Sequence, residues 1–199
     1  MCHRTDAAVL ALAVRGRALL VLALLALGSN AASPAPPDAE VPLELRLKTA
    51  FLYNLAKFVD WPPGAFSPDG SLAIGIYGNR VFARAVHDGL DGKEMRGRRV
   101  RVRELERLTP DADGCQLVFF DGSCEEQLPQ LLAKLSTRAV LTVGECDTFL
   151  DRGGIVNFSI EENRIRFDVD PDAAIPCGLK LSSRLLSLAR NLRRPRGAR

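Results

Sequence analysis

The chain has 199 residues, 27 Lys and Arg against 24 Asp and Glu, and 47% hydrophobic residues. That length holds one domain with a real core and is short for two. The near balance of charge argues against a nucleic-acid binder, which needs a concentrated basic face.

Residues 1–31 read as a cleaved signal peptide. Arg4, Arg15 and Arg17 precede an apolar run from Ala18 to Leu27, and Ser29 and Ala31 supply small residues where a signal peptidase cuts, so cleavage is expected after Ala31. The run falls well short of the roughly 20 apolar residues of a spanning helix. Export to the periplasm is the expectation. Cys2 lies before the run, so no cysteine stands ready for lipid attachment. Residues 32–42, rich in Pro and Ala, read as a disordered lead-in. The chain left after cleavage carries 24 basic and 23 acidic residues, and its local basic excess, Arg190, Arg193, Arg194, Arg196 and Arg199, reads as a solvated end, with residues 193–199 as the tail.

The domain proper is expected over residues 43–192. Pro42 suits a first helical turn, and Leu47, Ala50, Phe51, Asn54, Leu55 and Phe58 recur at three- and four-residue steps, predicting a helix that ends at Trp61 before Pro62. Ser71 to Tyr77 reads as a strand, and Gly78-Asn79 as a turn into a helix through Leu90. Arg98 to Leu105 alternates charged and apolar residues, as a strand with one wet face should. Gln116 to Phe120 and Ala139 to Val143 are apolar enough for central strands, with a helix over Glu125 to Leu135 between them. Ile155 to Ile160 and Arg164 to Val169, separated by three residues, form a hairpin whose outer strand would be a sheet edge. Gly178 to Leu192 is predicted as one closing amphipathic helix, with Leu181, Leu185, Leu188 and Leu192 on its stripe. The fold class is therefore α/β: a single-domain three-layer sandwich, its sheet mixed but mostly parallel with a C-terminal hairpin, flanked by helices.

No constellation of catalytic residues emerges. After Ala31 the only histidine is His87, Ser182 and Ser183 stand outside any G-x-S-x-G, and Cys124 and Cys146 lack the C-x-x-C spacing of a metal or redox motif. Gly75 and Gly78 fall short of the G-x-G-x-x-G nucleotide fingerprint. No enzyme activity, cofactor or metal is expected. Partner-surface candidates are Tyr53, off the Phe51/Phe58 face, Trp61 at the helix end, and Arg164, Arg166, Asp172 and Ile175 along the hairpin edge and the loop after it, because unpaired edges recruit partners.

Four cysteines remain after cleavage: Cys115, Cys124, Cys146 and Cys177. Cys115 begins a strand that carries the chain away from Cys124, which disfavours that bridge. Cys124 and Cys146 follow the ends of strands expected to be parallel, and Cys177 is expected at the same pole, so both Cys124–Cys146 and Cys146–Cys177 stand as pairings.

Four segments, LKTAFLYNLAKFVDWP at 47–62, LTVGECDTFLDRGGIVNF at 141–158, NRIRFDVD at 163–170 and GLKLSSRLLSLA at 178–189, together resemble the YfiR family of small periplasmic regulators. The resemblance implies a non-catalytic repressor that binds the periplasmic portion of an inner-membrane diguanylate cyclase and so lowers cyclic-di-GMP signalling and biofilm formation. An outer-membrane lipoprotein that relieves the block, and a second copy in a homodimer, are further partners to consider. Some relatives carry a first-strand cysteine that could pair with one like Cys115, but the LAIGIYG segment here has none. The rival readings are a periplasmic small-ligand receptor signalling to a sensor kinase and, more distantly, a thiol oxidoreductase.

Overall fold

Alternating strands and helices build one sheet with helices on both faces, in a computed structural model that describes residues 41–106, 114–162 and 164–193. The expected signal peptide, nearly all of the lead-in and the tail beyond Arg193 lie outside the described residues. The elements in order are α1 (Leu43–Lys57), β1 (Val59–Asp60), β2 (Leu72–Tyr77), α2 (Arg80–Leu90), β3 (Glu94–Met95), β4 (Arg98–Leu105), β5 (Leu117–Phe120), a 3₁₀ turn (Gly122–Cys124), α3 (Leu128–Leu135), β6 (Leu141–Gly144), β7 (Val156–Glu161), β8 (Arg164–Val169), α4 (Pro171–Ala174), β9 (Lys180–Leu181), α5 (Ser183–Leu188) and β10 (Asn191–Leu192). The eight-stranded sheet runs β10-β8-β7-β6-β5-β2-β4-β3, and β1 pairs with β9 in a separate ribbon. Strands β4, β2, β5, β6 and β7 are mutually parallel, whereas β8 returns antiparallel to β7 and β3 antiparallel to β4.

Side-chain alternation divides the core between the two faces. Leu72, Ile74 and Ile76 of β2 join α1 and α2 in one buried cluster, while Ala73, between them, joins Leu128, Leu131, Leu132 and Leu135 of α3 in the other. The three-layer arrangement and the mixed, mostly parallel sheet follow. Asn79 starts α2 by accepting the Phe82 N–H at 2.8 Å on its side-chain oxygen, as an N-cap should.

Two helices end earlier than expected. Helix α1 stops at Lys57, because Val59 and Asp60 leave the helix to pair with Leu181 and Lys180 of β9. The expected closing helix is only six residues long: Ala189 turns extended, with ψ 138°, and the chain then runs beside β8. There Arg190 N–H donates to Phe167 O at 2.8 Å and Arg193 N–H to Val169 O at 2.8 Å. Thus β10 covers only the end of β8, at Asp168 and Val169, while the Arg164 to Arg166 half has no strand beside it on that side among the described residues; Leu188 and Leu192 stay exposed and Leu185 is buried.

The last difference concerns direction. Because β7 runs parallel to β6, the Glu145–Ile155 segment must cross the sheet, and β8 ends beside the start of β7, where Asp170 N–H donates to Ile155 O at 2.8 Å. The chain after β8 therefore arrives at the pole where the parallel strands begin.

Candidate functional site

In an open α/β sheet the natural site lies beyond the carboxyl ends of the strands, where successive connections leave on opposite faces. Here α2 follows β2 to one face and the 3₁₀ turn and α3 follow β5 to the other, which opens a crevice between Tyr77–Arg80 and Asp121–Cys124. Its cavity measures about 340 Å³ and is bordered by Asn79, Arg80, Glu104, Ser123 and Gln127. Gly78 sits at its lip with φ 92°, a conformation that suits glycine, and a Cβ there would overlap the Cys124 sulfur.

A polar network behind this crevice ties four segments together. Lys48 of α1, 6% exposed, donates its ammonium to Glu145 after β6 and to Glu44 at 2.7 Å. Glu145 hydrogen-bonds Asp121 after β5, and Asp121 in turn accepts from Asn79 Nδ2 at 2.9 Å and from the Ser123 N–H at 3.0 Å. Burial raises the Glu145 pKa, and the neighbouring Asp121 adds to that rise against the pull of Lys48. Burial also pushes Asp121 upward, but its hydrogen bonds from Asn79 and Ser123 outweigh this and hold it below the ordinary carboxylate value. Burial and the neighbouring Asp121 thus favour the protonated form at Glu145, whereas the hydrogen bonds to Asp121 favour its charged form. For Lys48, burial lowers the pKa, and the hydrogen bonds and charges of Glu145 and Glu44 more than reverse that. The residue types in this network gave no signal in the sequence, because they come from positions 44 to 145 and none belongs to a local motif.

All four described cysteines are free thiols and buried. Cys124 and Cys146 lie at the crevice pole, close enough for Cys146 to add to the upward pressure on the Cys124 thiol, whose main cause is burial. Cys177 is elsewhere. Its sulfur lies 3.4 Å from Ser136 O and 3.6 Å from Ala173 O, at the opposite pole, because β8 runs back across the sheet. The expectation that Cys177 shares a pole with Cys146 is corrected on that ground. Cys115, two residues before β5, lies at that far pole, packed in the α3 core.

The surface residues singled out in the sequence are scattered. Tyr53 faces the side of α1 next to α2, with its hydroxyl 3.4 Å from Glu94 O. Trp61 donates its indole N–H to Gln116 O at 3.1 Å and meets Phe66 edge-on, with Arg98 stacked 3.6 Å from the Phe66 ring centre. Arg164 and Arg166 are exposed on β8, Asp172 is exposed in α4, and Ile175 is 69% exposed just after it. The structure does not gather these six into one patch. Among the described residues no group of three or more His, Cys, Asp or Glu side chains is arranged to hold a metal ion, and no helix is long and apolar enough to cross a membrane.

Among curated proteins no relative matches. The fold is similar to a conserved domain protein from Vibrio cholerae O1 biovar El Tor, with TM-score 0.52, 10% identity and coverage of 75% of this chain and 60% of that one. A looser likeness, TM-score 0.49 at 8% identity over 75% of this chain and 60% of the other, connects it to an ABC domain from Streptococcus pneumonia in complex with L-Trp. The chain thus spans about 60% of the length of either structure, and the first likeness speaks to fold alone. The sequence comparison is more specific: residues 45–190, almost the whole sheet-and-helix unit described above, match the YfiR/HmsC-like family model, and the chain belongs to that family.

Proposed function

We propose that this protein is a non-catalytic regulator, exported to the periplasm after removal of residues 1–31, that binds the periplasmic portion of an inner-membrane diguanylate cyclase and holds it inactive. The observation that carries the reading is the family match across residues 45–190. A binding protein acts on a membrane enzyme only through different affinities for its active and inactive states. Moving the enzyme from nearly all active to nearly all inactive takes about 5.5 kcal/mol of preference for the inactive form. An interface with a few well-packed aromatic or apolar anchors supplies that much. An outer-membrane lipoprotein that competes for the repressor would relieve the block, and a homodimer would set how many cyclase subunits one regulator meets.

The test is binding of the secreted chain, Ala32 to Arg199, to the purified periplasmic region of a membrane diguanylate cyclase from the same genome, with and without reductant. Micromolar or tighter binding is expected. Absence of binding in both conditions would sink the repressor reading and favour a small-ligand receptor, for which the crevice of about 340 Å³ at the strand ends is the place to look.

A further inference from the structure

A second concavity lies away from the strand ends, between α1 and α2, with a volume of about 610 Å³. Its floor is made of small groups: Thr49 and Ala50 from α1, Ala85 and Gly89 from α2. The two helices touch here, for a Cβ on Gly89 would stand 3.0 Å from Thr49 Cγ2. Thr49 turns its hydroxyl away, donating it to Leu45 O at 2.7 Å, so its methyl group faces the floor. Tyr53 forms a wall and directs its own hydroxyl toward Glu94 O. The hollow is therefore apolar within, and its polar groups stand at the rim.

Two features select the occupant. A small ligand needs convergent polar groups to orient it, and the two hydroxyls nearest the floor already have carbonyl partners. The walls are helices whose backbone groups bond internally, so an extended strand would find no ladder to join; what fits is a ridge of side chains laid into the groove. Charge sets the flanks of that ridge. Arg46 and Lys93 line the rim with one carboxylate, Asp88, and outside the lining Lys57 lies 5.4 Å from the Tyr53 ring centre. The complement of such a rim is acidic.

We propose that the α1/α2 groove is the docking surface for the regulated enzyme, and that it receives an amphipathic helix of that partner with an apolar ridge flanked by Asp and Glu. This rests on the repressor reading and gives it a surface. Ala50 is exposed, so Ala50→Arg fills the groove without disturbing the core, and Lys93→Glu inverts part of the rim. Leu188→Asp, at an exposed apolar residue outside the groove, serves as the comparison.

Titration of wild-type and variant proteins with the periplasmic region of the cyclase, each first shown by circular dichroism to melt like wild type, should give a loss of about tenfold or more for Ala50→Arg. Lys93→Glu should weaken binding less and flatten its salt dependence. Leu188→Asp should bind as wild type does. Wild-type affinity in Ala50→Arg would overturn the groove while leaving repression intact, and failure of the wild type itself to bind would remove both. If sedimentation shows instead that Ala50→Arg splits a dimer and leaves cyclase binding untouched, the occupant is a second copy of this chain and the proposal is wrong.

Discussion

At Glu145 a carboxyl group is held between an ammonium and another carboxylate, and its raised pKa has a consequence for stability. A group whose pKa is higher in the folded state binds its proton more tightly there, so its contribution is fully present below the ordinary carboxylate value and is lost as the pH rises through the raised one. Glu145→Gln cannot ionise and escapes that loss. The difference in urea midpoint between variant and wild type should therefore move in the variant's favour from pH 4.5 to pH 7; a difference that does not change with pH would show that folding leaves the Glu145 pKa where it is in the unfolded chain. Phe149 poses a packing question on the same scale. Its ring is fully buried against Gly144 and Gly154, where an added Cβ would overlap it. Phe149→Ala should cost about 3–5 kcal/mol by the cavity it leaves, and Gly144→Ala about 1–3 kcal/mol by crowding, both measurable by denaturant titration. The apolar run Leu141 to Val143 was legible as a buried strand. That the glycines bracketing the crossover exist to admit one ring was not, because the ring comes from a segment with no regular structure of its own.

Strands whose identity is written in their own alternation were read correctly, and those that exist only through a distant partner were not. Strands β2 and β4 and the β7–β8 hairpin carry local alternation or continuous apolar runs that no other segment needs to complete. By contrast β1, β3, β9 and β10 are two residues long, too short to carry a period, and each is defined by the strand it meets. The leucine stripe from Leu181 to Leu192 has good helical spacing, yet the far half of it exchanges helix for a place beside β8. Ion pairs help fix that exchange: Arg190 donates to both oxygens of Asp168 and to Glu161, and Arg193 meets Asp151 at 2.6 Å. Because Arg190 remains partly exposed, Arg190→Ala should cost only about 1 kcal/mol in global stability. It should still release the end of the chain, so hydrogen exchange at the amides of residues 190 and 193 is expected to accelerate well before that of β7 and β8. Equal protection in the variant would mean that β10 is held by backbone pairing alone.

For the molecule as a whole, the direction of β7 decides which cysteines can ever meet. Had β7 run antiparallel to β6, its hairpin partner would have returned Cys177 to the crevice pole, as the sequence suggested; the parallel crossover places Cys177 beside Ser136 instead. Strand direction is invisible in a run such as IVNFSI, which reads the same either way, and is set only when the Glu145–Ile155 segment is long enough to cross the sheet. Of the thiols, Cys124 and Cys146 share the crevice pole, while Cys115 and Cys177 lie at the other pole in separate core clusters. Burial raises the pKa of Cys124 and of Cys177, which keeps thiolate scarce and makes the folded protein slow toward iodoacetamide. Oxidised glutathione should nonetheless produce, over hours, a Cys124–Cys146 linkage with Cys115 and Cys177 still alkylatable after unfolding. Peptide mapping checks this directly, and a Cys146–Cys177 peptide would contradict the parallel course of β7. Fast, selective alkylation of one native cysteine would revive the oxidoreductase reading. If the Cys124–Cys146 bridge forms and binding to the cyclase changes with it, the link runs through the strand-end loops rather than through the α1/α2 groove, and Ala50→Arg in the oxidised protein would separate the two effects.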